Sequence, residues 1–99
     1  MTKRRVVVTG LGIVSPVGND LTSSWNNIIN GVSGIDLITH FDTTNFATKF
    51  AGEVKNFSTD GFFDAKEARR TDRFIQMGVV AGVQAVRDAG LEDLANLDK

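Results

Sequence analysis

Four basic side chains in the second half of the chain have the spacing of one helical face. They stand at i, i+3, i+4 and i+7, and they are Lys66, Arg69, Arg70 and Arg73. Side chains at this spacing are neighbours on a helix, where grouped like charges each cost roughly a few tenths of a kcal/mol. The cluster therefore predicts either an ordinary solvated face or a docking surface for an acidic partner. A helix break at Thr71 would move Arg73 away from the other three.

A glycine pair near the start of the chain is a second group with possible chemistry. Gly10 and Gly12 follow an apolar run, as in the phosphate-binding turn of dinucleotide-binding domains. That turn also needs a third glycine or alanine that opens a helix. Here the third position is Ser15, and Pro16 and Gly18 lengthen the loop. The pattern favours a structural turn, with a small nucleotide-binding domain as the alternative.

His40 is the single histidine and the only imidazole available for acid–base chemistry. It precedes Phe41 and Asp42, so a contact between histidine and carboxylate is conceivable, but general acid–base catalysis also needs a reacting group beside it. The chain has no cysteine, which excludes disulfides, thiolate ligands and a cysteine nucleophile from these residues. We therefore expect a structural or surface histidine, no catalytic residue, no metal site and no cofactor.

Size and charge set limits on the class of protein. The 99 residues suffice for one small domain, and we predict a single partial domain over residues 1–99. The net charge of −1 points to neither nucleic acid nor a membrane as partner. The apolar run near the N-terminus is broken by Thr9 and Gly10 and is too short for a signal peptide or membrane span. A cytoplasmic location is expected.

The first half of the chain must position the glycine pair. Its pattern predicts a buried strand, a loop and a helix at residues 4–9, 10–19 and 20–30. Three successive valines are typical of a strand covered on both faces. Asn19 or Asp20 is suited to cap the helix, and Gly31 to end it. The apolar side chains expected to pack inward are Leu21, Trp25, Ile28 and Ile29.

The second half must position the basic cluster. Alternation over residues 46–55 predicts a half-exposed strand, followed by a turn with aromatic anchors at 57–63. Asp64 and Glu67 have capping-box spacing and predict a short helix. A longer helix is predicted over residues 72–89, with Thr71 as its N-cap.

That longer helix is apolar almost all the way round, which is typical of a helix buried on every side. It also carries a stripe of small residues that permits close approach of another backbone: Gly78, Ala81, Gly82, Ala85 and Ala89. The remaining elements are too few to enclose it. We expect that these residues form part of something larger, by covalent continuation or by assembly.

Several separated motifs identify a family. They are RRVVVTGLGIVSPVG at residues 4–18, GI at 34–35, HFDT at 40–43, FAG at 50–52, FIQ at 74–76 and VAGVQA at 80–85. Together they resemble the β-ketoacyl-[acyl-carrier-protein] synthases, and within that family the fatty-acid-elongating type II enzymes. The resemblance covers essentially the whole chain, with the motifs in the same order.

The resemblance implies an α/β chain that forms the N-terminal part of a thiolase-like, layered α-β-α-β-α fold, in a homodimeric transferase. The family condenses an acyl thioester with malonyl-acyl carrier protein by decarboxylative Claisen chemistry, using a cysteine and two histidines. None of these catalytic groups matches a residue of this sequence, so the segment alone is predicted to be inactive. Lys66, Arg69 and Arg70 match the family's basic patch for acyl carrier protein, and Arg73 lies near it. A non-catalytic interaction module stays an alternative.

Overall fold

The computed structural model describes residues 3–92, and these residues form three helices and a two-stranded sheet. The elements in chain order are α1 (Leu21–Ile29), β1 (Ile35–Leu37), β2 (Phe50–Gly52), α2 (Ala65–Arg70) and α3 (Arg73–Asp88). Across the described range, none of the helices combines the length and apolar character that crossing a membrane requires.

Helix α1 begins and ends where the sequence predicts. The Asp20 carboxylate accepts a hydrogen bond from the Ser23 N–H at 2.8 Å, and Gly31 adopts the left-handed φ of 68° that ends the helix. The prediction of an inward apolar face is wrong for three of its four side chains, since Trp25, Ile28 and Ile29 are 59%, 51% and 60% exposed. Leu21 is half-buried, and the fully buried residue is Ser24, which is 1% exposed. The reason is that the loop before α1 packs on the serine side of the helix, where the hydroxyls of Ser15 and Ser24 lie 3.3 Å apart.

Strands β1 and β2 form an antiparallel hairpin in which Ile35 pairs with Gly52 and Leu37 with Phe50. The predicted strand in this region is confirmed, but it is shorter than the alternation suggested. One further backbone bond follows the strands, from the Ile38 N–H to the carbonyl oxygen of Lys49 at 2.9 Å. The Lys49 ammonium group donates hydrogen bonds to the carbonyl oxygens of Thr43 and Phe46, at 2.7 and 3.0 Å, and so closes the loop on itself.

The predicted buried strand at residues 4–9 is not formed. Val6, Val7 and Val8 are 92%, 70% and 80% exposed. A strand needs a neighbouring backbone for its N–H and C=O groups. Within the described range, residues 3–14 make no backbone-to-backbone hydrogen bond. The three valines therefore present the apolar faces of a central strand without the rest of a sheet.

Helices α2 and α3 meet at a sharp corner. Asp64 caps α2 by accepting a hydrogen bond from the Glu67 N–H at 2.7 Å, as predicted. The N-cap predicted for α3 is wrong by one position: Asp72 occupies it, without a side-chain capping bond. Thr71 instead closes α2, because its hydroxyl donates to the Glu67 carbonyl at 2.7 Å. Gly90 ends α3 with a φ of 72°.

The glycine loop packs directly on α3. A side chain at Gly10 or Gly12 would collide with the α3 backbone around Ala81 and Ala85, so the small-residue stripe permits close approach there. On α3, Val80 is 2% exposed, but Phe74 remains 72% exposed. The Cα radius of gyration is 17.5 Å, against about 13 Å for a compact domain of this length. Many large apolar side chains of the described residues are therefore left uncovered.

Candidate protein-docking surface

The basic cluster lies on α2 and at the start of α3, and all four of its side chains are exposed. We call it the basic surface; its members are Lys66, Arg69, Arg70 and Arg73. Three of the four share the six-residue helix α2, where i, i+3 and i+4 spacing keeps them adjacent. The chain breaks between Arg70 and Arg73, so Arg73 belongs to α3, as expected for a helix break at Thr71.

Arg73 is held by an aromatic ring. Its guanidinium carbon lies 5.0 Å from the centroid of the Phe57 ring, within the range of a cation–π contact. Arg87, near the other end of α3, makes the equivalent contact with Phe62 at 5.1 Å. The predicted aromatic anchors of residues 57–63 are thus confirmed, and they attach this segment along α3. Arg73 keeps its charge exposed but has less rotational freedom than the three side chains on α2.

The basic surface carries uncompensated charge. Salt bridges within residues 3–92 join His40 to Glu53 and Arg87 to Glu92, and none involves a member of the basic surface. Arg69 uses its Nε to donate to the Ala65 carbonyl at 3.2 Å, a bond that leaves the guanidinium positive. The arrangement is therefore suited to bind a partner that carries several negative charges.

A buried glutamine, which the sequence offers only as the last residue of the FIQ motif, fixes the corner between α2 and α3. Gln76 is 8% exposed, and its side-chain amide donates to the carbonyl oxygens of Ala68 and Thr71 at 2.7 and 3.1 Å. A polar side chain on an otherwise apolar helix was the available signal, because a buried amide must find hydrogen-bonding partners. Its role depends on where α2 lies, which the sequence does not show.

His40 lies at the base of the hairpin loop, away from the helices. Its Nδ1 is 3.4 Å from a Glu53 carboxylate oxygen, and the imidazole is 63% exposed. Its carboxylate partner is therefore Glu53 and not the adjacent Asp42, which instead accepts from the Thr44 N–H at 3.0 Å. No group of three or more metal-ligating side chains occurs in the described range. The surroundings of His40 support a structural role in the hairpin.

Glu53 is the carboxylate that organises this hairpin base. Desolvation raises the pKa of Glu53, but hydrogen bonds from the hydroxyl and N–H of Thr39 and from the His40 N–H, together with the charge of His40, outweigh it. The net effect holds the pKa of the Glu53 carboxyl below its ordinary value. The carboxylate therefore stays ionised and keeps its hydrogen bonds at neutral pH.

The glycine loop offers little to a phosphate group. Gly10 and Gly12 are used for close contact with α3, and the Asp20 carboxylate already occupies the N-terminus of α1, where a phosphate would bind. A cavity of about 250 Å³ lies beside the turn at residues 15–18. Its one basic group, Lys55, donates to the carbonyl oxygens of Pro16, Gly34 and Glu53. This geometry gives the nucleotide-binding alternative no support.

Comparisons with known proteins agree with the family resemblance. The family model described as "Beta-ketoacyl synthase, N-terminal domain" matches residues 3–98. The chain belongs to the β-ketoacyl synthase family. It is 58% identical to the 3-oxoacyl-[acyl-carrier-protein] synthase 2 of Vibrio cholerae serotype O1 over 93% of its own length. The proteins of the same name from Vibrio harveyi and Staphylococcus aureus strain COL are 56% and 51% identical, over 93% and 90% of the chain.

The fold also agrees with that of a solved ketosynthase. The structure titled "The ishigamide ketosynthase/chain length factor" superimposes with a TM-score of 0.82 and 35% identity over 93% of this chain and 23% of its own. The predicted α/β, thiolase-like class is therefore confirmed. The chain spans about a fifth of the length of the curated relatives it matches, 22% for each of the three named above.

Proposed function

We propose that the protein containing this chain is a 3-oxoacyl-[acyl-carrier-protein] synthase that elongates fatty acids. The observation that carries the proposal is the 58% identity to a protein of that name across 93% of the chain. The proposed reaction is a decarboxylative Claisen condensation. The acyl group is held as a thioester on a cysteine outside these residues, and malonyl-acyl carrier protein loses CO₂. The resulting carbanion attacks the thioester carbon, and the cysteine thiolate leaves and takes up a proton.

The described residues supply structure and recognition in this proposal, and the reacting groups come from the rest of the protein. The chain contains no cysteine, and its single histidine is engaged with Glu53 in the hairpin. Residues 1–99 are then one partial domain of a larger layered fold. The exposed valines at positions 6–8 and the exposed face of α3 become the surfaces on which that fold packs. A cytoplasmic homodimer is part of the same proposal, which rests on the family resemblance.

The basic surface is proposed to dock acyl carrier protein. Two observations support this proposal. Lys66, Arg69 and Arg70 are exposed on one short helix, and none of them forms a salt bridge with a carboxylate among the described residues. An acidic carrier protein would be attracted over several ångströms, and salt would weaken the association because exposed charges are screened. Arg73, already fixed on Phe57, would extend the surface toward α3.

The condensation proposal is tested by assaying the full-length protein with acyl- and malonyl-acyl carrier protein. Formation of the 3-oxoacyl product with release of CO₂ is expected. A full-length protein that binds the carrier protein without condensing the two substrates would instead support a non-catalytic interaction module.

The docking proposal is tested by reversing Lys66, Arg69 and Arg70 to glutamate in the full-length protein. Each reversal should cost about 1 kcal/mol, so the three together should weaken carrier-protein affinity about 100-fold. The matched control reverses Lys3, Arg4 and Arg5, which changes the net charge equally at exposed positions outside the basic surface. Equal affinities of the two triple variants for the carrier protein would remove the docking assignment.

A further inference from the structure

Helix α2 is too short to hold its own orientation. It has six residues, none of them buried, and isolated helices of this length are unstable in water. Its last carbonyl groups have no partners within the helix and must find them elsewhere. The Thr71 hydroxyl satisfies the carbonyl of Glu67, and the Gln76 amide satisfies that of Ala68.

Gln76 is the anchor that ties this end of α2 to α3. Its amide nitrogen donates to Ala68 within α2 and to Thr71, the residue that closes α2, so one buried group on α3 holds two carbonyl oxygens at the end of α2. The residue belongs to the rigid sixteen-residue helix α3. Among the described residues, the other side-chain hydrogen bond at this corner joins the Thr71 hydroxyl to Glu67, and it lies within the α2 end itself.

We infer that Gln76 is a positioning residue for protein docking: its buried amide sets the orientation of α2 and thereby of the three cations that α2 carries. The inference rests on the docking function proposed above. Charges that attract a partner act at long range, but a specific complex needs them at fixed places. Loss of the amide leaves the net charge unchanged and removes the fixed geometry, so it should affect recognition of a protein partner and not of a small substrate.

Gln84 provides a matched control on the same helix. Its side-chain carbonyl oxygen accepts from the Ile13 N–H at 3.1 Å, and its amide nitrogen donates to the Asn19 carbonyl at 2.6 Å. Like Gln76, it ties α3 to another part of the backbone through two hydrogen bonds. It holds the glycine loop and, among the described residues, makes no hydrogen bond to α2. Replacing either glutamine with methionine keeps the length of the side chain and removes both bonds.

The experiment compares Gln76→Met and Gln84→Met in the full-length protein with two forms of the same acyl substrate. One form is the acyl-carrier protein, and the other is the acyl-pantetheine thioester, which is uncharged and has no protein surface. Gln76→Met should raise KM for the carrier-linked substrate about tenfold, with kcat and the KM for the pantetheine thioester unchanged. Gln84→Met should leave the ratio of the two KM values as in the parent protein.

Other outcomes overturn the inference. If Gln76→Met raises KM for both substrate forms equally, or for neither, Gln76 does not position the docking surface. If Gln76→Met fails to fold, Gln76→Asn replaces it: its amide is one methylene shorter and cannot reach both carbonyl oxygens, so this variant should raise KM for the carrier-linked substrate alone, by a smaller factor. Failure of the proposed docking function is distinguishable, because then the Lys66, Arg69 and Arg70 reversal would also leave that KM unchanged.

Discussion

Because the glycine loop packs closely on α3, adding a single methyl group at Gly12 should strongly destabilise the protein. A Cβ added at Gly12 would collide with the Ala81 carbonyl oxygen and would lie 2.7 Å from the Ala85 nitrogen and 2.8 Å from the Gln84 Cβ. Ordinary contacts between nonbonded heavy atoms are about 3.5–4.0 Å. Two of the three obstacles are backbone atoms of α3, which cannot rotate away. The loop must therefore retreat from α3 by about 1 Å in Gly12→Ala.

The cost of that retreat follows from the bonds that it would break. The Ile13 N–H lies 3.1 Å from the Gln84 side-chain oxygen, and the Asn19 carbonyl lies 2.6 Å from the Gln84 amide nitrogen. A further 1 Å would lengthen these two distances to about 4.1 and about 3.6 Å, both beyond hydrogen-bonding distance. Each bond contributes about 1 kcal/mol, and overpacking adds about 1–3 kcal/mol. We expect Gly12→Ala to lower the free energy of unfolding by about 3–5 kcal/mol.

Urea unfolding of the full-length protein measures this effect, with a midpoint lowered by about 1 M or more. The control is Gly61→Ala. Gly61 has no heavy atom within 4 Å of its added Cβ but a φ of 84°, so alanine there costs backbone strain alone, about 1–2 kcal/mol. If Gly12→Ala is no more destabilising than Gly61→Ala, the loop does not pack on α3 as described.

Two further predictions concern carboxylates. Asp20→Ala removes the cap of α1 and should destabilise the protein by about 1 kcal/mol, measured by thermal unfolding. Asp20→Asn retains a side-chain oxygen acceptor and should destabilise the protein less in that measurement. Because the pKa of Glu53 is lowered from its ordinary 4.5, its contribution to hairpin stability is fully present above that value and is lost as the pH falls through the lower folded-state pKa. In the parent protein, hydrogen-exchange protection of the Thr39 and His40 N–H groups should therefore weaken at acidic pH. If Glu53→Gln shows the same protection as the parent protein at every pH, this account is wrong.

Local features of the chain were predictable from sequence because they depend on neighbouring residues alone. Asp20 and Asp64 cap their helices, and Gly31 and Gly90 follow helix ends with positive φ. A capping bond spans three residues, and a left-handed residue needs only the absence of a Cβ. The family was identifiable for a different reason: its motifs are specific and keep their order along the chain. The basic side chains and their exposure on α2 also follow from local spacing.

The sequence by itself determined the helices, the caps of α1 and α2, the turn positions and the family, because short-range geometry and motif order are written in adjacent residues. Only the tertiary structure decided which surfaces meet. It buried Ser24 in place of Trp25 and left Val6 exposed, and it brought Gly12 onto α3 and the Gln76 amide onto the end of α2. Those outcomes depend on which distant backbone lies beside each residue. An apolar pattern shows that a face must be buried, but which part of the protein buries it depends on contacts between residues that are distant in sequence.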